Sequence, residues 1–180
     1  ASFLRTMSPA GREQGLPGGA EVVYGGVPAQ VALEENGVHF SVPVHDGQKT
    51  GWFYDHRMSR ARLSAWVRGR TVLDTYSYIG GWGIQAGAFG ASEVCCLDSS
   101  AQALAGVAIN AKLNGIEDRV TTLRGSAPET MAALQAEGRQ FDVVILDPPA
   151  FIQRRKDLKK GFTAYRRINE LGLNLLRPGG

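Results

Sequence analysis

Cysteine is scarce in this sequence: there are two in 180 residues, side by side at positions 95 and 96. Neighbouring cysteines do not readily bond to each other, so no disulfide framework is expected and a reducing, cytoplasmic setting is. Only three histidines occur, His39, His45 and His56. They lack metal-ligand spacing, so structural roles are expected for them and no metal is expected. No apolar run reaches the roughly 18 residues of a membrane-spanning helix, so no membrane partner is expected. The opening Ala1-Ser-Phe-Leu-Arg5 has no signal-peptide pattern and no initiating Met. Net charge is only +3, which suits nucleic acid without requiring it. The G-x-G-x-x-G fingerprint is missing, which disfavours a nicotinamide oxidoreductase. No internal repeat is present.

What remains is an ordinary globular composition, 43% hydrophobic and 21% charged, long enough for one domain plus an appendage. Residues 21–50 read as β structure, with Asn36-Gly37 between two alternating runs as a hairpin signal. Residues 51–58 read as a connector. Ser59 is expected to cap a helix to about Arg68, with Leu63, Trp66 and Val67 on its apolar side. Strands and helices then alternate: Thr71–Asp74, Gly81–Phe89, Glu93–Asp98, Ala101–Leu113, Arg119–Leu123, Ala127–Glu137, Phe141–Asp147, and a last helix from about Thr163 to Leu176. That order predicts an α/β fold, a parallel sheet with helices on both faces. Pro178-Gly179-Gly180 reads as a turn into a further strand, so the sheet is expected to be truncated before its last strands. Residues 1–50 are expected to be the remnant of a preceding small β-rich domain with its linker, and 51–180 the main domain.

The most informative stretch is Phe141-Asp-Val-Val-Ile-Leu-Asp-Pro-Pro-Ala-Phe151. Val143–Leu146 suits a strand covered on both faces, and Pro148 and Pro149 cannot extend its ladder. Asp147 then lies at the carboxyl end of a central strand, where open α/β sheets bind ligands. With Phe151 beyond it, the segment suits a planar, hydrogen-bonding ring such as a nucleobase. Thr71-Val-Leu-Asp74 leads into the Gly-containing loop Thr75–Gly83, which lets backbone approach a ligand. The plainer alternative is an ordinary strand-to-helix turn. Glu93–Asp98 also ends in an acid, 24 positions after Asp74, near the spacing of a ribose-binding carboxylate. The alternative is that Asp98 caps the helix at Ala101. Cys95 and Cys96 alternate across a strand, so at least one is core and neither is expected to be a nucleophile. Ser126 ends the third strand where an acid is usual, and a capping role is its alternative. Arg154, Arg155, Lys156, Lys159, Lys160, Arg166 and Arg167 follow the Asp-Pro-Pro segment and could grip phosphates, although charge runs are often solvated faces.

Together these residues resemble the class I S-adenosylmethionine-dependent methyltransferases. More narrowly, the chain is similar to the RlmI-like family of ribosomal RNA large-subunit cytosine-5 methyltransferases. Gly47-Gln-Lys-Thr-Gly-Trp-Phe-Tyr-Asp-His-Arg57, Tyr76-Ser-Tyr-Ile-Gly-Gly81 and Asp147-Pro-Pro-Ala-Phe151 carry the likeness, which runs from about residue 21 to the end. The resemblance implies a Rossmann-like sheet, S-adenosyl-L-methionine as cofactor and ribosomal RNA as partner, and it leaves a homodimer open. It implies that Asp74, Asp98, Ser99, Ser126, Asp147 and the Tyr76, Tyr78, Gly80 and Gly81 loop bind cofactor, with Arg57 on its carboxylate. Asp147 is expected to orient the target base beside Pro148, Pro149, Phe151, Arg154 and Arg155. It further implies a Cys thiolate adding to cytosine carbon-6, attack by carbon-5 on the sulfonium methyl, and loss of the carbon-5 proton to a base, with the target base unpaired or flipped. That Cys is expected beyond Gly180, so these residues alone are expected to lack the chemistry. His56 stands where the family has Gln, and Ile79 where it has Thr. Ser126 stands where the family has an acid, which predicts weaker cofactor binding. Two other readings stay open: methylation of an exocyclic base nitrogen, and a cofactor- or RNA-binding module without catalysis.

Overall fold

A computed structural model describes residues 3–6, 20–44 and 51–180. Residues 1–2, 7–19 and 45–50, the last including Gly47–Thr50 of the connector motif, lie outside the described residues. The chain divides into two compact units, residues 1–33 with 41–53, and residues 34–40 with 54–180. In the smaller unit β1 (Phe3–Thr6) and β2 (Ala20–Tyr24) pair antiparallel. β3 (Gln30–Glu35) and β4 (Val38–Pro43) form the expected hairpin, and its tip belongs to the larger unit. Asn36 and Gly37 both take left-handed backbone, φ 55° and 78°, the geometry a two-residue turn needs to match strand twist.

The larger unit is a parallel sheet with helices on both faces. β5 (Thr71–Thr75), β6 (Glu93–Asp98), β7 (Val120–Arg124) and β8 (Val143–Leu146) lie in the order β7-β6-β5-β8. The helices are α1 (Arg57–Ala61), α2 (Gly83–Ala88), α3 (Ala101–Leu113), α4 (Ala127–Ala136) and α5 (Leu158–Asn174). The alternation of a strand divides its two cysteines. Cys95 joins the core beneath α4 and α5 with Leu73, Met131, Phe141 and Ile168. Cys96 faces α2, where a Cβ on Gly83 would stand 2.6 Å from its sulfur. Both thiols are free and buried.

Two expectations are corrected. The helix from Ser59 to Arg68 is instead a short α1 starting at Arg57, flanked by 3-10 turns at Tyr54–His56 and Arg62–Ala65. Leu63 and Val67 are buried, but Trp66 is 64% exposed, because the 3-10 turn rotates it off the apolar side. The last helix begins at Leu158, five residues before Thr163. Its first turn is polar, so apolar periodicity gave no signal there. Among the described residues β8 pairs with β5, Ile145 is its most buried residue, and Phe141 bridges in parallel to Leu176.

β8 is pinned to β5 at both ends. Asp142 accepts from the Thr71 N–H at 2.8 Å and its hydroxyl at 2.9 Å, and the Thr75 hydroxyl donates to the Ile145 carbonyl at 2.8 Å. The hairpin tip is fastened to α1 and α2 by a buried ion pair. Arg60 Nε and Nη2 donate to the two oxygens of Glu35 at 2.6 and 3.0 Å, and Gln85 Nε2 donates to Glu35 Oε1 at 2.9 Å. Asn36 Nδ2 in turn donates to Gln85 Oε1 at 2.8 Å. Breaking a buried pair on one side strands the other charge, whereas replacing both with apolar groups does not. Glu35→Ala is therefore expected to destabilise the fold by about 3–5 kcal/mol, and Glu35→Leu with Arg60→Met by clearly less. Urea unfolding of the two variants checks the ranking.

Candidate active site

Three carboxylates gather at the carboxyl ends of three adjacent strands. Thr75 on β5 is level with Leu97 on β6 and Leu146 on β8. Asp98 and Asp147 each lie one residue beyond that level, on either side of β5, and Asp74 lies one residue below it. The sheet thus brings together positions far apart in sequence, at the edge where α/β sheets hold ligands.

The loop after β5 is bent over these ends. Tyr76, Tyr78 and Gly80 have positive φ, at 58°, 51° and 86°. Left-handed backbone is uncommon for tyrosine and persists only where the surroundings hold it. Here the Ser77 N–H donates to the Leu97 carbonyl at 3.1 Å, and the Tyr78 N–H to Asp98 Oδ2 at 2.9 Å. The buried Asn110 Nδ2 donates to the Ile79 carbonyl at 3.0 Å. Ile79 itself is buried against Gly106, where a Cβ would come within 2.7 Å of it. Apolar contact thus replaces what a threonine hydroxyl offers at that position.

The three acids are held differently. Asp74 is fully buried and accepts the Gly83 N–H at 2.8 Å on Oδ2. Its Oδ1 has no hydrogen-bond partner, and neither do the buried Ser77 and Tyr78 hydroxyls. Burial pushes the Asp74 carboxyl up to about 7, helped by the nearby Asp147 and Asp98 charges and opposed by the Gly83 N–H and Arg60. Asp98 accepts two backbone donors, Tyr78 N–H and, at 2.8 Å, Ser100 N–H. It does not cap α3. That is done by Ser100, whose hydroxyl accepts the Ala103 N–H at 3.2 Å. Asp147 is half-buried and accepts from the indole Nε1 of Trp82 at 3.0 Å.

The other expected residues are placed as follows. Gly81 is half-buried in the loop, and Ser99 is exposed beside Asp98. Ser126 occupies the N-cap position of α4, yet its side chain makes no capping bond. Arg57 is exposed at the start of α1. The arginine whose charge reaches Asp74 is Arg60, buried and 5.8 Å from the Trp82 ring centroid. Pro148 is half-buried and Pro149 exposed. Phe151 packs against Tyr165 with centroids 4.8 Å apart, and its N–H donates to the Tyr165 hydroxyl at 3.2 Å. Arg154 and Arg155 are exposed. Burial raises both thiols, Cys96 furthest, so neither is disposed to react as a thiolate. No group of His, Cys, Asp or Glu among the described residues is placed to hold a metal. Glu35, Arg60, Trp82 and Gln85 were not foreseen from the sequence. Their meeting joins segments about 25 to 50 positions apart, and no local spacing announces it.

Unpartnered buried oxygens, paired strand-end acids and a backbone turned inward fit a polar ligand with hydroxyls and positive charge. A nucleoside bearing a sulfonium has both, so the donor set suits S-adenosyl-L-methionine.

A family model described as S-adenosylmethionine-dependent methyltransferase matches residues 17–180. A protein of Shewanella amazonensis named ribosomal RNA large subunit methyltransferase I is 34% identical over all of this chain and 46% of its own length. A protein of the same name from Aeromonas salmonicida is 37% identical over 94% of this chain and 43% of its own. The chain therefore spans less than half the length of these relatives. Among solved structures, a methyltransferase complexed with SAH superposes with a TM-score of 0.77 at 25% identity, covering 88% of this chain and 42% of that one.

The electrostatics of Asp74 give a testable pH dependence. Its carboxyl is higher in the folded state than its ordinary value of 3.8. The folded form therefore keeps a proton that the unfolded chain has released, and stability is lost as pH rises from about 4 towards 7. In ligand-free protein, Asp74→Asn is expected to raise the melting temperature at pH 8 and to leave it nearly unchanged at pH 4. Thermal melts across that range check it.

Proposed function

The chain belongs to the S-adenosylmethionine-dependent methyltransferases, and from that membership we propose that it forms the cofactor- and base-binding part of an enzyme that methylates large-subunit ribosomal RNA at carbon-5 of a cytosine. The observation that carries the reading is the triad of strand-end acids beneath the Tyr76–Gly81 loop, with its unpartnered inward oxygens. S-adenosyl-L-methionine, when bound, supplies a methyl group made electrophilic by its sulfonium.

The chain's own residues divide the remaining work. Asp98 is fixed by two backbone N–H groups and keeps lone pairs for the ribose hydroxyls. Ser99 and Ser126 border the nucleoside side. The turn from Tyr76 through Tyr78 to Gly80 and Gly81 wraps the methionine end. Arg57 has no bonded partner for its guanidinium among the described residues, so it is available to the methionine carboxylate. Asp147 accepts from the polar edge of the target base, a charge-assisted bond that strengthens where water is excluded. Pro148 and Pro149 stiffen the chain there, and Phe151, backed by Tyr165, offers one face to the base.

Charge supports an RNA partner. Residues 154–170 hold seven Lys or Arg and two acids, a net +5, while the chain as a whole is +3, so the rest is net −2. Lys159, Lys160, Arg166 and Arg167 all lie exposed on α5, next in sequence to Arg154 and Arg155. This concentration beside the base site suits a phosphodiester backbone. Carbon-5 chemistry also needs a thiolate, and the buried Cys95 and Cys96 do not supply one. The reading therefore requires a cysteine elsewhere in the whole protein.

Calorimetry on the full-length protein tests the cofactor half. Asp98→Asn is expected to weaken S-adenosylhomocysteine binding by about tenfold or more, since it converts charge-assisted bonds to neutral ones; unchanged affinity would count against the pocket. Mass mapping of ribosomal RNA from a deletion strain tests the substrate half. The expected result is loss of one 5-methylcytosine. A lost methyl on an exocyclic nitrogen would favour the amino-methylation reading, and an unchanged RNA would remove ribosomal RNA as substrate. Lys159→Glu with Lys160→Glu is expected to flatten the slope of log affinity against log salt by between one and two units, measured by RNA-binding titrations.

A further inference from the structure

Asp98 and Asp147 stand at equivalent heights on the two sides of β5, yet they are secured by different means. Asp98 uses the N–H two residues ahead, at Ser100, and the N–H of Tyr78 across the loop. At Asp147 the residue two ahead is Pro149, and the one between is Pro148, so neither can donate. The turn that fixes Asp98 is chemically unavailable to Asp147. Its one hydrogen bond among the described residues comes from a side chain, the Trp82 indole, at 3.0 Å to Oδ2.

The indole is itself held. Arg60 lies 5.8 Å from its ring centroid, and the His56 ring is at the same centroid distance with a tilt of 52°. Arg60 cannot swing away, because both Glu35 oxygens grip it in the interior. Gln85, one turn along from Trp82, donates to the same Glu35. The chain of contacts thus runs from the hairpin tip through Glu35 and Arg60 to Trp82 and ends on Asp147.

We infer that Trp82 is the positioning residue for Asp147: its indole N–H fixes the carboxylate and leaves Oδ1 to meet the base. The inference rests on the proposed role of Asp147 in orienting the target ring. Two prolines after the acid remove the backbone donors that would compete for it, and a side-chain donor takes their place. An indole suits the task because it donates one hydrogen bond, accepts none, and stays neutral at every pH of interest.

Three measurements on the full-length protein test this. Trp82→Phe keeps the ring and removes the N–H. It is expected to lower kcat for RNA methylation by about ten- to a hundredfold, the scale on which loss of orientation acts, with KM for RNA changed less than threefold. In a background of Asp147→Asn the same change is expected to cost less than threefold, because a residue acting through Asp147 has nothing left to position. Wild-type kcat in Trp82→Phe, or an equal loss in both backgrounds, overturns the inference. The third measurement needs no turnover. The indole 1H–15N resonance of Trp82, identified by its loss in Trp82→Phe, is expected to shift in Asp147→Asn by more than those of Trp52 and Trp66; an unmoved signal overturns the bond. If Asp147→Asn itself keeps wild-type activity, the base-orienting role fails, whereas an inactive Asp147→Asn beside a fully active Trp82→Phe defeats only the part assigned to Trp82.

Discussion

A buried carboxylate with one hydrogen bond sets the terms for the rest of this site. Asp74 is shut into the sheet at the end of β5, holds the Gly83 N–H, and leaves its other oxygen unpartnered. Burying such a group without full compensation is costly, and the surroundings are shaped to keep the cost bearable. Position 83 must be glycine, since a Cβ there would meet Cys96 sulfur at 2.6 Å and Asp74 Oδ2 at 3.0 Å. Only that closeness lets the first peptide of α2 reach the carboxylate. In the loop before it Tyr76 and Tyr78 turn the backbone at positive φ.

Charge balance follows from the same constraint. Asp98 and Asp147 raise Asp74 further, and Arg60 is the cation that offsets them. Arg60 is already matched by Glu35, so the centre as a whole keeps an excess of negative charge. A neutral or anionic ligand would leave that excess in place. On the proposed reading, a ligand carrying a sulfonium would relieve it.

How much of this could be read in the sequence depended on the range of the forces involved. β6 and α3 lie at their expected limits because apolar run, acid and cap are all local signals. The hairpin turn at Asn36-Gly37 was readable for the same reason, and so were the acids at Asp74, Asp98 and Asp147. The start of α5 was hidden by its own charges. Arg57 stood out through a motif, while Arg60, three residues on, makes the buried contacts; a motif marks a region and does not decide which side chain turns inward. Trp82 read as part of a glycine loop, since its partner lies 65 positions away.

The same distinction between local and distant forces explains why the Asp147–Phe151 segment and the basic helix belong together. Gly161 lets α5 approach so closely that a Cβ there would stand 2.2 Å from Ile152 and 3.1 Å from the Phe151 carbonyl. One turn further, Tyr165 takes the Phe151 N–H, a donor that the preceding prolines could not have offered. The segment after Asp147 is therefore braced from both ends, by Trp82 on the acid and by α5 on Phe151. The cations of α5 are carried on the opposite side of that same helix. On the proposed function, a phosphodiester chain lying along them would meet a surface whose position relative to Asp147 is set by two packed contacts, so binding the backbone would also fix where a target base arrives.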